Sequence, residues 1–181
     1  MWWLVEPRIF ERRLGTAALI PTSTTTRLLR LEVGGIHLAV DLSMVVRAQL
    51  LDVVLLEPLA TPLGGVITAR YREEGGWWPV WSLRGVLNFP EESGGVLVTL
   101  TTGGRPFLLR ADKAWGLFTP RGEDCFQLPA TWSGKTEPLC DEVIRGPHTL
   151  WRLAPGFFTR RLPWSLWEAA QVEPQPSAGG R

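Results

Sequence analysis

The chain has 181 residues, of which 45% are hydrophobic and 20% are charged. This balance excludes a wholly disordered chain, because disorder requires low hydrophobicity together with high net charge. Lysine and arginine number 19 against 18 acidic residues, and the formal net charge of +1 argues against a general nucleic-acid binder. The sequence contains no run of about 18 apolar residues, so we expect no membrane insertion.

Residues 1–25 form a predicted N-terminal extension that includes Trp2 and Trp3, two of the chain's 10 tryptophans. This extension lacks the basic first segment of a signal peptide, so we expect a cytoplasmic protein. Cys125 and Cys140 lack metal-type spacing and are predicted to be plain thiols, which agrees with that compartment. The tryptophan pair either packs back on the folded domain or docks onto a partner, because tryptophan is enriched in both settings.

Two β-hairpins are predicted in the middle of the chain, where glycine pairs suit tight turns. Their strands are residues 28–33 and 36–42 around Gly34-Gly35, and residues 96–101 and 105–111 around Gly103-Gly104. Polarity alternates along these runs and again from Trp78 onward, which is typical of half-buried strands. Long helical crossovers are missing, so the sequence predicts an all-β barrel or sandwich and not a parallel α/β fold. We find no internal repeat in the sequence.

Short helices are predicted at both ends of the chain. Ser165 and Glu168 form a capping box, in which each side chain bonds a backbone amide at the start of a helix. This box predicts a helix over residues 163–172, followed by a disordered tail over residues 173–181 that is rich in proline, glycine and serine. A short helical turn is also expected over residues 7–14, since proline suits the first helical position.

The motifs of common enzymes are incomplete in this sequence. Residues 134–136 read Gly-Lys-Thr like the end of a phosphate-binding loop, but Pro129 stands where that loop requires a glycine. The two histidines share no ligand spacing, and the glutamate pairs at 73–74 and 91–92 are expected to be solvated. We therefore predict no catalytic residue, metal or cofactor and expect a protein that is not an enzyme; an enzyme with an unfamiliar site is the alternative from another class.

One series of motifs carries a recognisable signature. It comprises Pro-Leu-Gly-Gly-Val-Ile-Thr-Ala-Arg at 62–70, Trp-Pro-Val-Trp-Ser-Leu-Arg at 78–84, Leu-Ala-Val-Asp-Leu at 38–42, the hairpin at 96–112 and Gln-Leu-Pro at 127–129. In this order the motifs resemble those of the CheW-like family of chemotaxis adaptors. The resemblance covers about residues 26–162 of the chain.

The resemblance implies an all-β fold of two small five-stranded barrels, similar to SH3 domains, within residues 26–162. It also implies a non-catalytic cytoplasmic adaptor of bacterial chemotaxis-type signalling. Such an adaptor docks a CheA-type histidine kinase and a chemoreceptor or another upstream signalling protein, with no cofactor and no nucleic acid. A divergent scaffold in a motility or pilus-control assembly, without receptor coupling, is an alternative.

By the same resemblance, Arg70, Val45 and Gly65 occupy positions of receptor or kinase contact. Arginine makes bidentate bonds to carboxylates, so Arg70 could bind a partner or, alternatively, Glu73 or Glu74 of its own loop. For Val45 and Gly65 the alternatives are a strand residue and a turn glycine with structural roles only.

The chain also departs from the family pattern. Tyr71 replaces the family's glycine and Arg47 stands where a glutamate is common; both are included in the predicted partner-binding set. Ser82 replaces an aspartate, and residues 72–76 lengthen the hairpin. Because specificity depends on repulsion as well as attraction, the reversed charge implies a different partner surface. The sequence predicts that residues 64–84, which carry tryptophan and arginine, form a protein-docking surface.

Overall fold

The computed structural model describes residues 20–21, 26–63, 67–74, 76–128, 139–161, 165 and 168. The strands are β1 (Ile20–Pro21), β2 (Leu28–Val33), β3 (Ile36–Asp41), β4 (Val45–Leu50), β5 (Leu56–Leu63), β6 (Ile67–Glu73), β7 (Gly76–Ser82), β8 (Val96–Thr102), β9 (Arg105–Ala111), β10 (Lys113–Phe118), β11 (Cys125–Gln127), β12 (Cys140–Ile144) and β13 (Leu150–Leu153). The short helices are α1 (Leu83–Val86) and α2 (Pro155–Arg161), and 3-10 turns lie at Leu42–Met44, Val53–Leu55 and Gly122–Asp124. The predicted all-β fold is thus confirmed.

The chain divides into two compact units. Among the described residues, the first unit contains those up to 45 together with 112–158, and the second contains 46–111 and those from 159 onward. Along the chain, residues 46–111 of the second unit are therefore inserted between the two segments of the first, and the rest of the second unit follows residue 158.

The first unit is built on a sheet with the strand order β1-β11-β12-β13-β3-β2-β10. Its one parallel pair among the described strands is β13 with β3, where Leu150 lies opposite His37. β2 and β3 form the first predicted hairpin, with Val33 opposite Ile36. Gly34 and Gly35 in its turn have φ values of 58° and 79°, a left-handed conformation that glycine adopts without strain.

The second unit is built on a sheet with the order β4-β8-β9-β7-β6-β5. β7 and β9 are parallel, with Val80 opposite Leu108. β8 and β9 form the second predicted hairpin, and its turn glycines, Gly103 and Gly104, have φ values of 57° and 76°. Both hairpins predicted from the glycine pairs are confirmed.

The two sheets share one topology. In sheet order, β11, β12, β13, β3, β2 and β10 correspond to β5, β6, β7, β9, β8 and β4. In both units the third of these strands is followed by a short helix and pairs in parallel with the fourth. The repeat is one of structure, in line with the expected pair of barrels, and the sequence itself shows none. The order of the strands along the chain hides the repeat, because the hairpin comes first in one unit and last in the other.

Each unit has its own apolar core. Buried side chains from five strands form the first core: Leu28, Ala39, Cys125, Ile144 and Leu150, with Phe118 packed against them. The second core contains Ala69, Tyr71, Val80, Leu97 and Leu108, with Leu51, Leu56 and Trp78 packed against them. Trp81, on the other face of β7, is fully buried and lies 5.9 Å from the ring of Phe107. Trp78 and Trp81 therefore lie on opposite faces of β7, as the alternation predicts, but residues 79–82 are all buried, so this strand is not half-buried as expected.

The two helices were missed by the sequence analysis. Ser82 caps α1, because its side chain accepts a hydrogen bond from the backbone N–H of Gly85. Serine and aspartate are both strong N-cap residues, so the replacement of the family's aspartate by Ser82 preserves this function. The signal for α2 was Pro155 at the first helical position.

The strand count is larger than the five expected for each barrel, since the sheets contain seven and six strands. Part of the excess is the two-residue β1, which adds to the edge of the first sheet beside β11. Other predicted features lie outside the described residues: most of the extension at 1–25, Gly65, the segment at 134–136, most of the helix at 163–172 and the tail at 173–181. The proposed domain limits stay a prediction.

Candidate protein-docking surface

Arg70 is the central residue of the predicted site, and the structure places it on β6 with only 4% of its surface exposed. Its Nη2 donates a hydrogen bond of 2.9 Å to Oε1 of Glu57 on the neighbouring strand β5. Its guanidinium lies 4.5 Å from the ring centre of Trp77, which is a favourable cation–π distance. Arg70 thus binds its own chain through Glu57. Its role toward a partner stays a prediction.

Arg47 on β4 forms a second ion pair within the chain. Its Nη2 pairs with the Glu73 carboxylate of β6, and its Nε lies 3.4 Å from Oγ1 of Thr99. Gln49 donates to the other oxygen of Glu73 at 3.4 Å. β4 and β6 are not neighbours in the sheet, so these contacts show that the sheet curls until the two strands meet. Glu73 was expected to be solvated; its side chain is only 12% exposed.

Tyr71 belongs to the core of the second unit and is 3% exposed. Burial raises the pKa of its phenol, and the carboxylates of Asp52 and Glu73 act in the same direction. The side chain therefore presents almost no surface to a partner. Val45, the first residue of β4, is half-buried, and Gly65 lies outside the described residues.

An exposed apolar strip on β4 and the turn after it was missed by the sequence analysis. It consists of Val46, Leu50, Val53 and Val54, with exposed fractions of 62%, 80%, 57% and 86%. We call these four residues the β4 strip. Exposed patches of this kind mark protein-interaction sites more often than isolated surface leucines do. The signal was present as period-two spacing in β4, where Arg47 points to Glu73 and its neighbour Val46 points away.

The loop between α1 and β8 is held by two arginines. Arg84 donates to the carbonyl of Pro90 at 2.8 Å and pairs with Glu92 at 2.9 Å. Arg110 pairs with Glu91 at 3.2 Å, and the same carboxylate accepts the hydroxyl of Ser82. The two glutamates were expected to be solvated, and their side chains are 43% and 68% exposed; their outer contacts with solvent coexist with the ion pairs that anchor this loop to the signature segment.

Among the residues that the structure describes, no group of three or more histidine, cysteine, aspartate or glutamate side chains could hold a metal ion. No helix in that part of the chain is long and apolar enough to cross a membrane. Burial raises the pKa of the Cys125 thiol, which disfavours the thiolate that a nucleophilic cysteine requires.

The repeated all-β topology defines a CheW-like fold. A search of solved structures finds a match to the scaffolding protein TtCheW from Thermoanaerobacter tengcongensis, with a TM-score of 0.58 and 9% sequence identity. The match covers 72% of this chain and 90% of that chain. No protein-family model matches the sequence, and no curated protein matches it. The predicted resemblance is therefore confirmed at the level of the fold, as a divergent CheW-like structure.

Proposed function

We propose that this protein is a non-catalytic cytoplasmic adaptor that couples a chemoreceptor, or another upstream signalling protein, to a CheA-type histidine kinase. The observation that carries the proposal is the fold, which covers most of the length of a CheW scaffolding protein. An adaptor acts by docking, and the order of the signature motifs supports that role.

The β4 strip supplies the apolar area for docking in this proposal. Its Val46 lies between Val45, which the family resemblance assigns to partner contact, and Arg47, which belongs to the predicted partner-binding set. Interface centres are depleted of charged residues, and the strip contains none. Arg70 serves the surface indirectly in this view, since it holds Glu57 and Trp77 in place.

Binding to the kinase tests the proposal directly. We expect the purified chain to bind the CheW-homologous domain of a CheA-type kinase from the same organism in a calorimetric titration. Leu50→Glu should weaken that binding about tenfold or more, because it places a charge in the apolar contact. Ala60→Glu, at an exposed position of β5, is the matched control and should change the dissociation constant less than about twofold. No binding by the folded protein at tens of micromolar would exclude the coupling role.

One observation favours the alternative of a scaffold without receptor coupling. Where the family commonly has a glutamate, Arg47 forms an ion pair with Glu73 of its own chain. A receptor that reads a negative charge at this position would meet a cation instead. Titration with a coiled-coil receptor tip separates the two functions, since the alternative predicts kinase binding without receptor binding.

A further inference from the structure

A groove in the first unit lies beside β10 and is separate from the β4 strip. Its volume is about 520 Å³. One wall is β10 from Trp115 to Phe118, and the others are the loop at 119–121 and the segment at 145–147 that follows β12. All of these residues belong to one compact unit.

The described lining of the groove is positively charged. It includes Arg30, Arg121 and Arg145 but only one acidic residue, Asp124. Arg145 is exposed and lies 4.7 Å from the ring centre of Phe126, so its planar group is held in place by stacking.

The charge of Arg121 is also accessible. Its side chain is 82% exposed, and its carboxylate neighbour Glu123, at 3.8 Å, is 74% exposed. An ion pair between two such exposed side chains is weak and exchanges readily for another carboxylate. The groove is therefore suited to an acidic ligand, whose carboxylates arginine can bind through paired hydrogen bonds.

The backbone of β10 adds a second kind of recognition. In the described part of the chain, β10 is the last strand of its sheet, beyond β2. Trp115 and Leu117 on this strand are 56% and 50% exposed. The register shifts between Ala114 and Gly116, which marks a bulge at Trp115. A strand at a sheet edge offers a row of backbone donors and acceptors that an extended peptide can match.

We propose that this groove binds an extended segment of a partner protein in which acidic and apolar residues alternate. The segment adds to β10 as a further strand. Its acidic side chains pair with Arg121 and Arg145, and its apolar side chains pack on Trp115 and Leu117. The proposal does not rest on the proposed adaptor function, because it concerns a different unit of the chain.

The equivalent place in the second unit shows why the groove is open to a ligand. There the last residue of β6, Glu73, is bonded to Arg47 and Gln49 of β4. In the first unit the last residue of the corresponding strand β12, Ile144, lines the groove together with β10. An acidic side chain from a partner would thus meet arginine here much as Glu73 meets Arg47 within the chain.

A peptide is favoured over nucleic acid because only a peptide can continue the backbone pairing of β10. The probe is a fluorescein-labelled octapeptide that alternates glutamate and valine, titrated with the full chain and followed by fluorescence anisotropy. Three comparison ligands complete the set: the peptide with glutamine for glutamate, the peptide with alternate backbone nitrogens methylated, and a labelled twelve-nucleotide oligothymidylate. Both altered peptides should bind at least about tenfold more weakly. The glutamine peptide lacks the negative charges, and the methylated peptide lacks backbone N–H donors.

Charge reversal locates the site. The double variant Arg121→Glu/Arg145→Glu should raise the peptide dissociation constant about tenfold or more. The matched control Arg27→Glu/Arg72→Glu makes the same change in net charge at exposed positions outside the groove. It should change the peptide dissociation constant less than about twofold. Thermal melting by circular dichroism verifies that both variants fold, and Leu117→Lys provides a second groove variant with the same expected loss.

Several outcomes would overturn the proposal. One is an equal loss of peptide affinity in the groove and control variants, which would show that the net charge of the protein, and not the groove, determines binding. Unchanged binding of the methylated peptide would exclude strand addition. Binding of oligothymidylate alone would make the surface a nucleic-acid site, and no anisotropy change up to about 200 µM protein would exclude the peptide ligand.

Discussion

β4 and β10 occupy equivalent positions at the edges of two sheets with the same strand order, yet they present different surfaces. β4 exposes Val46 and Leu50, and Val53 and Val54 in the turn after it are exposed as well. β10 exposes Trp115 and Leu117 next to a groove lined by arginines. The same strand order therefore presents an apolar surface in one unit and an arginine-lined surface in the other. The difference lies in a few side chains at the sheet edges.

The interiors of the units differ at an equivalent position as well. In the parallel pair of the second unit, Val80 lies opposite Leu108 and both are fully buried. In the first unit, Arg152 lies opposite Ala39 and pairs with Glu142 at 2.7 Å and with Asp41 at 3.5 Å. The same place in the topology is thus filled by an apolar contact in one unit and by a partly buried ion network in the other.

The largest expected effect comes from breaking that network. Arg152→Ala should lower the free energy of unfolding by about 3–5 kcal/mol, because it leaves Glu142 and Asp41, which are 8% and 12% exposed, without their cation. Val80→Ala should cost about 2 kcal/mol, as expected for two lost methyl groups in a packed core. Urea unfolding measures both values. Equal losses of unfolding free energy in the two variants would show that water or a rearrangement of nearby side chains stabilises the two carboxylates in place of Arg152.

A smaller effect tests whether the two hairpin turns are equivalent. Gly35→Ala and Gly104→Ala should each cost about 1–2 kcal/mol, because an L-residue with φ near 79° or 76° is strained. A Cβ at either position would meet no atom within 4 Å, so the loss reflects the backbone alone. The two thermal melting shifts should agree, and a clear difference between them would contradict the equivalence of the turns.

The smallest expected effect is a pH dependence near and below pH 6.5 that arises from His37 in the first unit. Burial and the nearby guanidinium of Arg30 hold the pKa of His37 below its ordinary value of 6.5. Because the unfolded chain then binds more protons, this contribution to stability is complete above pH 6.5, falls as the pH decreases and levels off below the folded pKa. In the hairpin register the equivalent residue of the second unit is Pro106, which does not titrate.

The His37→Gln variant checks this dependence. Its unfolding free energy should decrease less between pH 7 and pH 5 than that of the unchanged chain, since glutamine keeps an acceptor for Arg30 without titrating. An identical pH profile for the variant would assign the dependence to other groups.

Local signals predicted the hairpins well. Gly34-Gly35 and Gly103-Gly104 could be recognised because left-handed turn residues and period-two alternation are properties of short stretches of sequence. The signature motifs likewise led to the correct fold despite 9% identity to the matched scaffold.

Long-range contacts of individual side chains were not predictable in this way. Arg70 was expected to bind either a partner protein or a glutamate of its own loop. In the structure it binds Glu57, which lies 13 residues earlier in the chain, on the neighbouring strand. The register of β5 against β6 decides that contact, and the sequence does not specify this register. The solvated state expected for Glu73 is wrong for the same reason, since Arg47 reaches Glu73 only when the sheet has curled.

The position of residues 46–111 between the two segments of the first unit also has a consequence for synthesis on the ribosome. When β2 and β3 emerge from the ribosome, their hairpin cannot pair with β10 or β13, because residues 46–111 must be synthesised before those strands. The six strands of the second sheet, β4 to β9, are contiguous in the chain, so this sheet can be completed during translation before the unit's segment from residue 159 onward is made. During this time the apolar surface of the first unit's hairpin remains exposed. We therefore expect the nascent chain to depend most on chaperones in the interval before residues 112–158 emerge.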